Sequence, residues 1–363
     1  MPPEVSPDEL PTTASRQHGN YKKIYVMYPR GDQTGGPEAL HQLVHTLREM
    51  GQQAYLFPRP GTAQNARAAA YEKYNAPEVA WPSDDTGNAI IASEMSIHLL
   101  RRFVSADRFC WWLSIDNSPL VKDERSRYNV WAADGTRAQR PLVGQVRALV
   151  RQVKRRLRGD YRLLRDVEHL AQSEYALSYL YSKFDITATL LTDYTTLPNF
   201  ADRIVAPASA RGDIVAYNPK KAARVTAVVM KYMPDVVFRP LEKMTRDEVV
   251  ETLLTSAIYL DLGYHPGKDR MPREAVLCGA VTIVGRRGTG AFDGDTPLPW
   301  EQKVATSGSY VENAVKVVRA TLNNLDSAVL GQASYKVIVE AERDTFRKDV
   351  KRCFIDGHLS SRS

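Results

Sequence analysis

The sequence feature that most constrains the fold is an alternation of short apolar runs with amphipathic helical patterns. Residues 23–28 (KIYVMY) form the first apolar run. A glycine turn follows, and residues 37–50 show helical periodicity before a second apolar run at residues 53–57. A helix between two such runs predicts a β–α–β unit, because parallel strands need a crossover connection of this length. The pattern therefore predicts an α/β protein built on parallel sheet.

The alternation occurs as two separate series. In the first series, we predict further strands at residues 89–92, 109–115 and 187–192, and helices at residues 95–104 and 172–181. In the second series, we predict strands at residues 214–217, 236–239, 258–262 and 281–284, and helices at residues 222–233, 246–257 and 273–278. Thr245 and Glu248 have the spacing of a capping box at the start of the middle helix. Two series in 363 residues, at about 150 residues per domain, predict two Rossmann-like lobes.

The boundary between the lobes is predicted in the polar segment at residues 202–213, where Pro, Ser and Gly favour a linker. We therefore divide the chain into four parts. These are a disordered tail over residues 1–20, a first lobe over residues 21–205, a second lobe over residues 206–334, and a carboxy-terminal helix over residues 335–363 that packs back toward the first lobe.

Composition excludes several classes of protein. Hydrophobic residues make up 43% of the chain and charged residues 25%, which are ordinary values for a globular protein. The uncharged apolar runs are much shorter than the roughly 20 residues of a transmembrane helix, and the first 19 residues lack the apolar stretch of a signal peptide. Three widely spaced cysteines offer no complete disulfide set and no Cys-x-x-Cys motif. We therefore expect a cytoplasmic protein.

Positive charge is concentrated at residues 137–165. This segment contains ten basic residues and one acid, whereas the whole chain has a net charge of only +7. Its apolar residues at helical spacing are Leu142, Val146, Leu149, Val150, Val153 and Leu157. The pattern predicts a basic helical insertion that either lies on an anionic surface at the inner face of the cell membrane or packs its apolar stripe on the first lobe. Nucleic acid is not an expected partner, because aromatic residues are not interleaved with these charges.

Ligands of open α/β sheets bind at the carboxyl ends of the strands, so the segments after the predicted strands are the candidate sites. Thr34-Gly35-Gly36-Pro37-Glu38 precedes a helix whose unpaired N–H groups favour an anion, although a tight turn explains the glycines equally well. Tyr217-Asn218-Pro219-Lys220-Lys221 places two lysines at a helix start. Cations there oppose the helix dipole and so indicate an anionic ligand.

The strongest candidate is the segment over residues 261–275. It concentrates four charged residues around a predicted helix start: Lys268, Arg270, Arg273 and Glu274. Arginine can bind phosphate oxygens in a bidentate manner, and a carboxylate can accept hydrogen bonds from sugar hydroxyls. A purely structural loop rarely needs so many charged groups, so we interpret the segment as part of a binding site.

These motifs resemble those of a known family. Gly-Gly-x-Glu before a helix, together with Arg-Glu-Ala-x-x-x-Gly-Ala-Val-x-Ile-Val at residues 273–284, resembles the GT-B glycosyltransferases, which use nucleotide sugars. The motifs at residues 111–117, 172–176, 217–221 and 265–270 resemble those of bacterial surface-polysaccharide (group 1-like) glycosyltransferases, over about residues 22–304. The resemblance implies a GT-B fold, with a donor cleft between the two lobes. It also implies a hexosyltransferase-type activity that moves a sugar from a nucleotide-diphosphate donor to a glycan or lipid-linked acceptor.

The resemblance also implies roles for single residues. Glu274 matches the glutamate that binds the donor ribose in retaining GT-B enzymes, and Gly36 lies near the donor. Pro266 stands where those enzymes usually carry another glutamate, which leaves the retaining or inverting outcome open. His265 either contacts the donor sugar or is a turn residue. The cations that would neutralise the departing diphosphate are Lys220, Lys221, Lys268, Arg270 and Arg273.

No metal or cofactor is implied. Asp293-Gly294-Asp295 has the form of a metal-binding Asp-x-Asp motif, but glycine and proline surround it and we interpret it as a turn. An inverting reaction needs a general base, which in a GT-B enzyme ordinarily comes from the first lobe. Glu94 and Asp116 follow predicted strands and are the candidates, although either can instead cap a helix or turn. A retaining reaction assisted by the leaving phosphate needs no such base.

Other classes stay open at this stage. A nucleotide-sugar epimerase or a phosphorylase can use the same two-lobed scaffold. A non-catalytic membrane-surface binding protein, with a degenerate donor site and a working basic helix, is the alternative outside the enzymes.

Overall fold

Two parallel sheets, one after the other along the chain, form the frame of the protein. The computed structural model describes residues 19–125, 130–131, 137–138, 142–196 and 203–359. The predicted tail over residues 1–20 therefore lies almost entirely outside the described residues, whereas the predicted interlobe segment is described from residue 203 onward.

The first sheet has six strands in the order β2-β1-β3-β4-β7-β8, and all its neighbours pair in parallel. The strands of the first half are β1 (Lys23–Tyr28), β2 (Ala54–Pro58), β3 (Asn88–Ser93), β4 (Asp107–Trp112), β5 (Val130–Trp131), β6 (Arg137–Ala138), β7 (Glu168–Ala171) and β8 (Thr189–Leu190). β5 and β6 form a separate antiparallel pair. The central strands are almost completely buried, as expected for a parallel sheet that is covered on both faces.

Helices cover both faces of this sheet. They are α1 (Gly35–Glu49), α2 (Pro119–Arg125), α3 (Leu142–Leu157), α4 (Asp160–Leu163) and α5 (Glu174–Phe184), with short 3-10 helices at Ala69–Tyr71, Ile97–Arg102 and Ile115–Asn117. The predicted helix over residues 95–104 is a 3-10 helix of six residues. The predicted basic helix is confirmed as α3.

The second sheet has five parallel strands in the order β10-β9-β11-β12-β13. Its strands are β9 (Gly212–Tyr217), β10 (Val237–Pro240), β11 (Ser256–Asp261), β12 (Val281–Gly285) and β13 (Lys303–Val304). The helices of the second half are α6 (Ala223–Lys231), α7 (Arg246–Thr255), α8 (Arg270–Leu277), α9 (Tyr310–Asn323), α10 (Leu325–Gly331), α11 (Ala333–Glu340) and α12 (Glu342–Phe354). Short 3-10 helices lie at Ala208–Ala210, Thr289–Ala291 and Trp300–Gln302. The two parallel sheets confirm the prediction of two Rossmann-like lobes.

The predicted capping box is confirmed at the start of α7. The Thr245 hydroxyl accepts a hydrogen bond from the Glu248 N–H, and the Glu248 carboxylate accepts one from the Thr245 N–H. The prediction for α8 was less accurate, because the helix begins at Arg270 and not at residue 273. Pro272 lies in its first turn. A backbone N–H has no acceptor within the helix at this position, so proline removes no helical hydrogen bond there. Glu274 therefore lies in the second turn of α8.

The predicted carboxy-terminal helix over residues 335–363 is divided at Ala341 into α11 and α12. Tyr335 of α11 packs in a cluster of the second lobe. α12, in contrast, completes the core of the first lobe: Phe346 stacks on Trp111 with ring centroids 6.2 Å apart, and Phe354 packs against Phe109. None of the helices within the described ranges is long and apolar enough to cross a membrane.

Candidate functional site

The loops at the carboxyl ends of the two sheets touch each other. Gly267, in the loop between β11 and α8, lies so close to the loop after β4 that a Cβ atom there would be 2.1 Å from the carbonyl oxygen of Leu113. The next residue, Lys268, donates its backbone N–H to Oε1 of Gln172, which follows β7, at 3.0 Å. The site predicted from the sequence therefore lies at an interface between the lobes.

Two helices begin opposite each other at this interface. The Arg270 side chain, at the start of α8, crosses to the start of α1, where a Cβ on Gly35 would lie 3.5 Å from its Nε. The Arg270 guanidinium donates to the buried carboxylate of Glu38 in the first turn of α1. Lys73 lies 3.3 Å from the same carboxylate, and Tyr74 donates its hydroxyl to it at 2.8 Å. Burial alone would raise the pKa of Glu38, but Arg270, Tyr74 and Lys73 together lower it, so the residue is ionised at neutral pH.

His265 is buried and held by a carboxylate. Its Nδ1 lies 2.6 Å from Oδ2 of Asp269, which occupies the N-cap position of α8. A carboxylate can only accept, so Nδ1 carries a proton, and in the neutral form of the ring Nε2 has a free lone pair. Nε2 is buried without a hydrogen-bond partner within the described residues and lies 3.8 Å from Oδ1 of Asp261. In the neutral form of the ring, a buried nitrogen of this kind is suited to accept a hydrogen bond from a ligand hydroxyl.

Lys221, at the end of the loop after β9, lies in the same cluster. Its ammonium group pairs with the Asp269 carboxylate and lies 3.4 Å from Oδ2 of the buried Asp261. Burial would lower the pKa of Lys221, but the two carboxylates raise it well above its usual value. Burial would likewise raise the pKa of Asp269, whereas Lys221 and His265 hold it well below its usual range. The cluster is thus an ionised network.

Asp261, His265 and Asp269 have the donor atoms of a metal site, since one ligand atom from each lies within 4.8 Å of the others. The Lys221 ammonium group already supplies a positive charge to both carboxylates. The residues therefore fit an ion-paired network better than a divalent cation, and we derive no step from a metal here.

Glu274 is completely buried and paired with an arginine that the sequence analysis did not identify. The guanidinium of Arg246, the first residue of α7, donates to both carboxylate oxygens, at 3.2 and 2.5 Å. Arg246 remains partly exposed, so the pair lies at the edge of the site. The contact of Glu274 with a donor ribose stays a prediction.

Arg273 and Lys268 point to the first lobe. The Arg273 guanidinium is buried between Asp193, at 3.1 Å, and Glu342 of α12, at 2.9 Å. Burial would lower the pKa of Arg273, but these two carboxylates raise it. Lys268 lies 3.8 Å from Glu342. Both residues therefore help to join the lobes. Their contact with a diphosphate stays a prediction.

Lys220 and Gly36 are differently placed. Lys220 is exposed after β9, and its backbone N–H donates to Oδ1 of Asn218 at 3.0 Å. Gly36 lies in the first turn of α1, where a Cβ would be 3.7 Å from Leu113. Of the predicted donor-binding residues, Gly36, Lys221, His265 and Arg270 therefore lie at or beside the two facing helix starts.

Asp116, in the 3-10 helix after β4, belongs to a polar network that links the lobes. The Tyr175 hydroxyl donates to both Asp116 carboxylate oxygens at 3.0 Å and lies 2.5 Å from the hydroxyl of Tyr264, the neighbour of His265. The carboxylate is only partly buried. Asp116 is thus linked through Tyr175 to Tyr264, the residue that precedes His265 in the chain.

Glu94, the other candidate base, is buried at the end of β3. Its Oε2 accepts the backbone N–H of Leu113 at 2.9 Å. Burial raises the pKa of Glu94 from 4.5 to about 7, although the Leu113 N–H acts in the opposite direction. The residue supports the loop that contacts Gly267, and its carboxyl group takes up a proton near neutral pH.

The Asp293-Gly294-Asp295 segment is a turn, as predicted. Asp295 accepts the backbone N–H groups of Glu174 and Tyr175 at 2.7 and 3.0 Å and so caps α5 of the first lobe from the second lobe. Asp293 pairs with Lys303 at 2.5 Å. Both carboxylates therefore have structural partners.

Sequence reasoning missed several residues of the site, all of them carboxylates or cations that act as partners: Glu38, Lys73, Asp193, Arg246, Asp261, Asp269 and Glu342. Glu38 and Asp269 lie inside the motifs singled out above, and Asp261, His265 and Asp269 recur at intervals of four residues. The spacing was available in the sequence. Asp193, Arg246 and Glu342 are brought to the site only by the tertiary fold.

Comparison with solved structures places the chain among proteins of the GT-B fold. HepE from Anabaena, solved in complex with UDP and glucose, is 10% identical, with a TM-score of 0.60 over 92% of this chain and 99% of that chain. Sucrose-phosphate synthase from Thermosynechococcus elongatus is 14% identical, with a TM-score of 0.59 over 92% of this chain and 98% of that chain. WaaG, a glycosyltransferase involved in lipopolysaccharide biosynthesis, is 9% identical, with a TM-score of 0.57 over 90% of this chain and 99% of that chain. No protein-family model and no curated protein matches the chain.

Proposed function

We propose that the protein is a hexosyltransferase-type glycosyltransferase that moves a sugar from a nucleotide-diphosphate donor to a glycan or lipid-linked acceptor in the synthesis of a bacterial cell-surface polysaccharide. The observation that carries the proposal is the meeting of the α1 and α8 starts at Gly35 and Arg270, beside the buried His265. The GT-B fold supports it, because HepE was solved with UDP and glucose and WaaG takes part in lipopolysaccharide biosynthesis.

The diphosphate is proposed to bind between the two helix starts. Unpaired N–H groups at a helix amino terminus attract anions, and here two such termini face one another. Arg270 supplies a guanidinium that can hold phosphate oxygens in a bidentate manner. Without a donor this guanidinium is neutralised by Glu38, so we infer that the incoming diphosphate competes with Glu38 for Arg270. Fixed cations at this place stabilise the negative charge that develops on the leaving group.

His265 is proposed to orient the donor sugar. Its Nε2 is the buried acceptor described above, and Asp269 fixes the ring through Nδ1. A sugar hydroxyl that donates to Nε2 would be held on the side of the diphosphate, since Asp269 occupies the N-cap position directly before Arg270. Lys221 keeps Asp269 ionised and acts as a positioning residue.

The acceptor is proposed to bind on the side of the first lobe. Asp116 is our candidate for the general base of an inverting reaction, because its carboxylate is partly exposed and linked through Tyr175 to Tyr264, next to the proposed sugar site. Glu94 is buried behind Leu113, which favours a supporting role. In a retaining reaction the leaving phosphate would accept the acceptor proton, and Asp116 would then only bind the acceptor.

A screen of nucleotides tests the proposal directly. Ligands that bind the folded state raise the melting temperature, so one or more of UDP, GDP, TDP, ADP and CMP should stabilise the protein. With the matching nucleotide sugar, product analysis should show nucleotide release that depends on an acceptor. Conversion of the donor without acceptor would indicate an epimerase, and consumption of phosphate would indicate a phosphorylase. If none of the nucleotides raises the melting temperature, the proposed donor site is wrong.

A further inference from the structure

The apolar side of α3 is exposed to solvent. Among the described residues, seven of the 19 exposed large hydrophobic side chains belong to this one helix: Leu142, Val143, Val146, Leu149, Val150, Val153 and Leu157. Leu142 and Leu157, at its two ends, are 78% and 84% exposed. A helix of a globular protein ordinarily buries its apolar stripe against the core. The expected alternative, in which the stripe packs on the first lobe, is therefore wrong.

The orientation of α3 follows from the positions of its residues. At about 100° per residue, the seven apolar residues fall within a sector of about 120°. The side that faces the protein lies roughly opposite and is narrow: Ala148 is the one residue of α3 that is completely buried. Small or polar residues surround Ala148 on this side, where Gly144 and Gln152 are half-buried. α3 thus packs on the protein through the side that carries Ala148 and presents its apolar stripe outward.

Basic side chains border the stripe. Arg147, Arg151 and Lys154 lie along one edge and Arg156 along the other, and all four are exposed. At the carboxyl end of the helix, a depression of about 370 Å³ is lined by Leu157 and four basic residues: Arg151, Lys154, Arg155 and Arg158. α3 contains no acidic residue. The surface therefore combines outward apolar groups with basic residues on both edges.

We propose that this surface, formed by α3, binds an anionic lipid bilayer. The apolar stripe would enter the boundary between head groups and acyl chains, and the bordering arginines and lysine would pair with lipid phosphates. The charge pattern favours a bilayer over a second copy of this chain, because two such basic surfaces would repel each other. The inference does not depend on the proposed sugar transfer, since it concerns a surface apart from Arg270 and His265.

The position of α3 in the first lobe determines where a bound membrane would lie relative to the proposed site. α2, which follows the 3-10 helix of Asp116, packs against α3. A membrane bound at α3 would therefore lie on the side of the first lobe, where the acceptor is proposed to bind. An acceptor with a lipid anchor would reach the site from that membrane.

Vesicle sedimentation tests the proposal. The full chain is mixed with vesicles of phosphatidylcholine alone or with about 30% phosphatidylglycerol, at low and at high salt. We expect binding to the anionic vesicles only, and weaker binding at high salt. Val146→Glu with Val153→Glu should reduce the partition coefficient by about tenfold or more, because each change puts a charge into the apolar stripe. Arg147→Gln with Lys154→Gln should reduce it by about thirtyfold, since each basic residue contributes about 1 kcal/mol near an anionic surface and about 1.4 kcal/mol is tenfold.

Matched controls lie on the second lobe. Val337→Glu with Ile338→Glu changes two exposed apolar residues of α11, and Lys231→Gln with Lys316→Gln removes two exposed charges. Both control variants should bind vesicles like the wild type. All variants change exposed side chains, so melting temperatures should stay close to that of the wild type.

Two outcomes overturn the proposal. The first is equal binding of the stripe variant and its control, or no binding by the wild type. The second is a wild-type dimer in analytical ultracentrifugation that the stripe variant converts to a monomer, which would assign the stripe to a second copy of the chain. Nucleotide stabilisation is measured on the same samples, and its presence would show that the donor site is intact whichever result the vesicles give.

Discussion

Oδ2 of Asp269 accepts a hydrogen bond from Nδ1 of His265 at a distance of 2.6 Å, and the same carboxylate pairs with the ammonium group of Lys221. One acid thus holds the histidine ring and a lysine from the loop after β9, and it occupies the N-cap position directly before Arg270. Three parts of the proposed donor site are joined through it.

Asp269→Asn is expected to lower turnover by about tenfold to a hundredfold, the usual effect of losing hydrogen bonds to a charged group. The amide is neutral, so Lys221 keeps only its ion pair with Asp261 and the His265 ring is free to change tautomer or rotate. Turnover with the donor found in the nucleotide screen is the measurement. Asp235→Asn is the matched control, because Asp235 pairs with Arg319 on the surface. Equal turnover of both variants would show that Asp269 does not position the site.

Arg270→Gln should weaken binding of the donor nucleotide by about tenfold or more, since a charge-assisted contact with phosphate is worth roughly 1.5–3 kcal/mol. Isothermal titration calorimetry of the nucleotide measures the dissociation constant. Arg239→Gln, which changes an exposed arginine of the edge strand β10, should leave it unchanged. An unchanged dissociation constant for Arg270→Gln would place the diphosphate elsewhere.

Gly267→Ala is expected to separate the lobes at the site. Its Cβ would lie 2.1 Å from the Leu113 carbonyl oxygen and 2.8 Å from Oε1 of Gln172, and the first of these is backbone. Overpacking of this kind costs about 1–3 kcal/mol, so we expect a lower melting temperature and a strong loss of turnover. Gly212→Ala is the control, because a Cβ there meets only the Ile214 side chain, at 3.7 Å. A Gly267→Ala variant as stable and active as this control would show that the lobes are not in contact there.

Stability should depend on pH through Glu94. Its pKa is about 7 in the folded protein and 4.5 when unperturbed, so the folded state binds the proton more tightly than the unfolded state. The free energy of unfolding therefore decreases as pH rises from 4.5 to about 7, by up to roughly 3 kcal/mol from this group. Glu94→Gln should remove this pH-dependent contribution to the free energy of unfolding. The amide oxygen can still accept a hydrogen bond from the Leu113 N–H, so the loop keeps its support. Urea unfolding of both proteins at about pH 5 and pH 8 measures the difference; an identical pH dependence would contradict the assignment.

The sequence allowed the fold class to be predicted because each lobe is built from local β–α–β units. β1, β3 and β11 are apolar runs with strong periodicity, and the capping box at Thr245 fixes the start of α7. β7, in contrast, begins with Glu168 and His169, and was not predicted. His169 is nevertheless buried, because its Nδ1 accepts a hydrogen bond from the Trp112 indole N–H at 2.9 Å. Such a strand depends on a partner that sequence periodicity does not reveal.

The sequence analysis predicted which segment forms the site more accurately than it predicted the contacts of its side chains. The segment over residues 261–275 does lie at the interface between the lobes, with Lys268 and Arg270 in contact with the first lobe. Among the cations that were predicted to neutralise a diphosphate, Lys221, Arg270 and Arg273 each have a carboxylate partner. Those partners come from elements distant in sequence, such as Glu38 and Glu342. Local spacing carries no information about which of them the fold brings near.

The way in which α12 completes the first lobe also has a consequence for synthesis of the chain. Phe346, Val350, Cys353 and Phe354 form part of the core around β1 and β4, although they are translated after the whole second lobe. A ribosome that has finished β8 has released a sheet whose apolar face is covered in part by α1, and α12 has yet to be made. The second lobe can acquire its own core while it emerges. The first lobe has to wait for α12, and during that interval the part of its face beside α1 is where a chaperone would be needed.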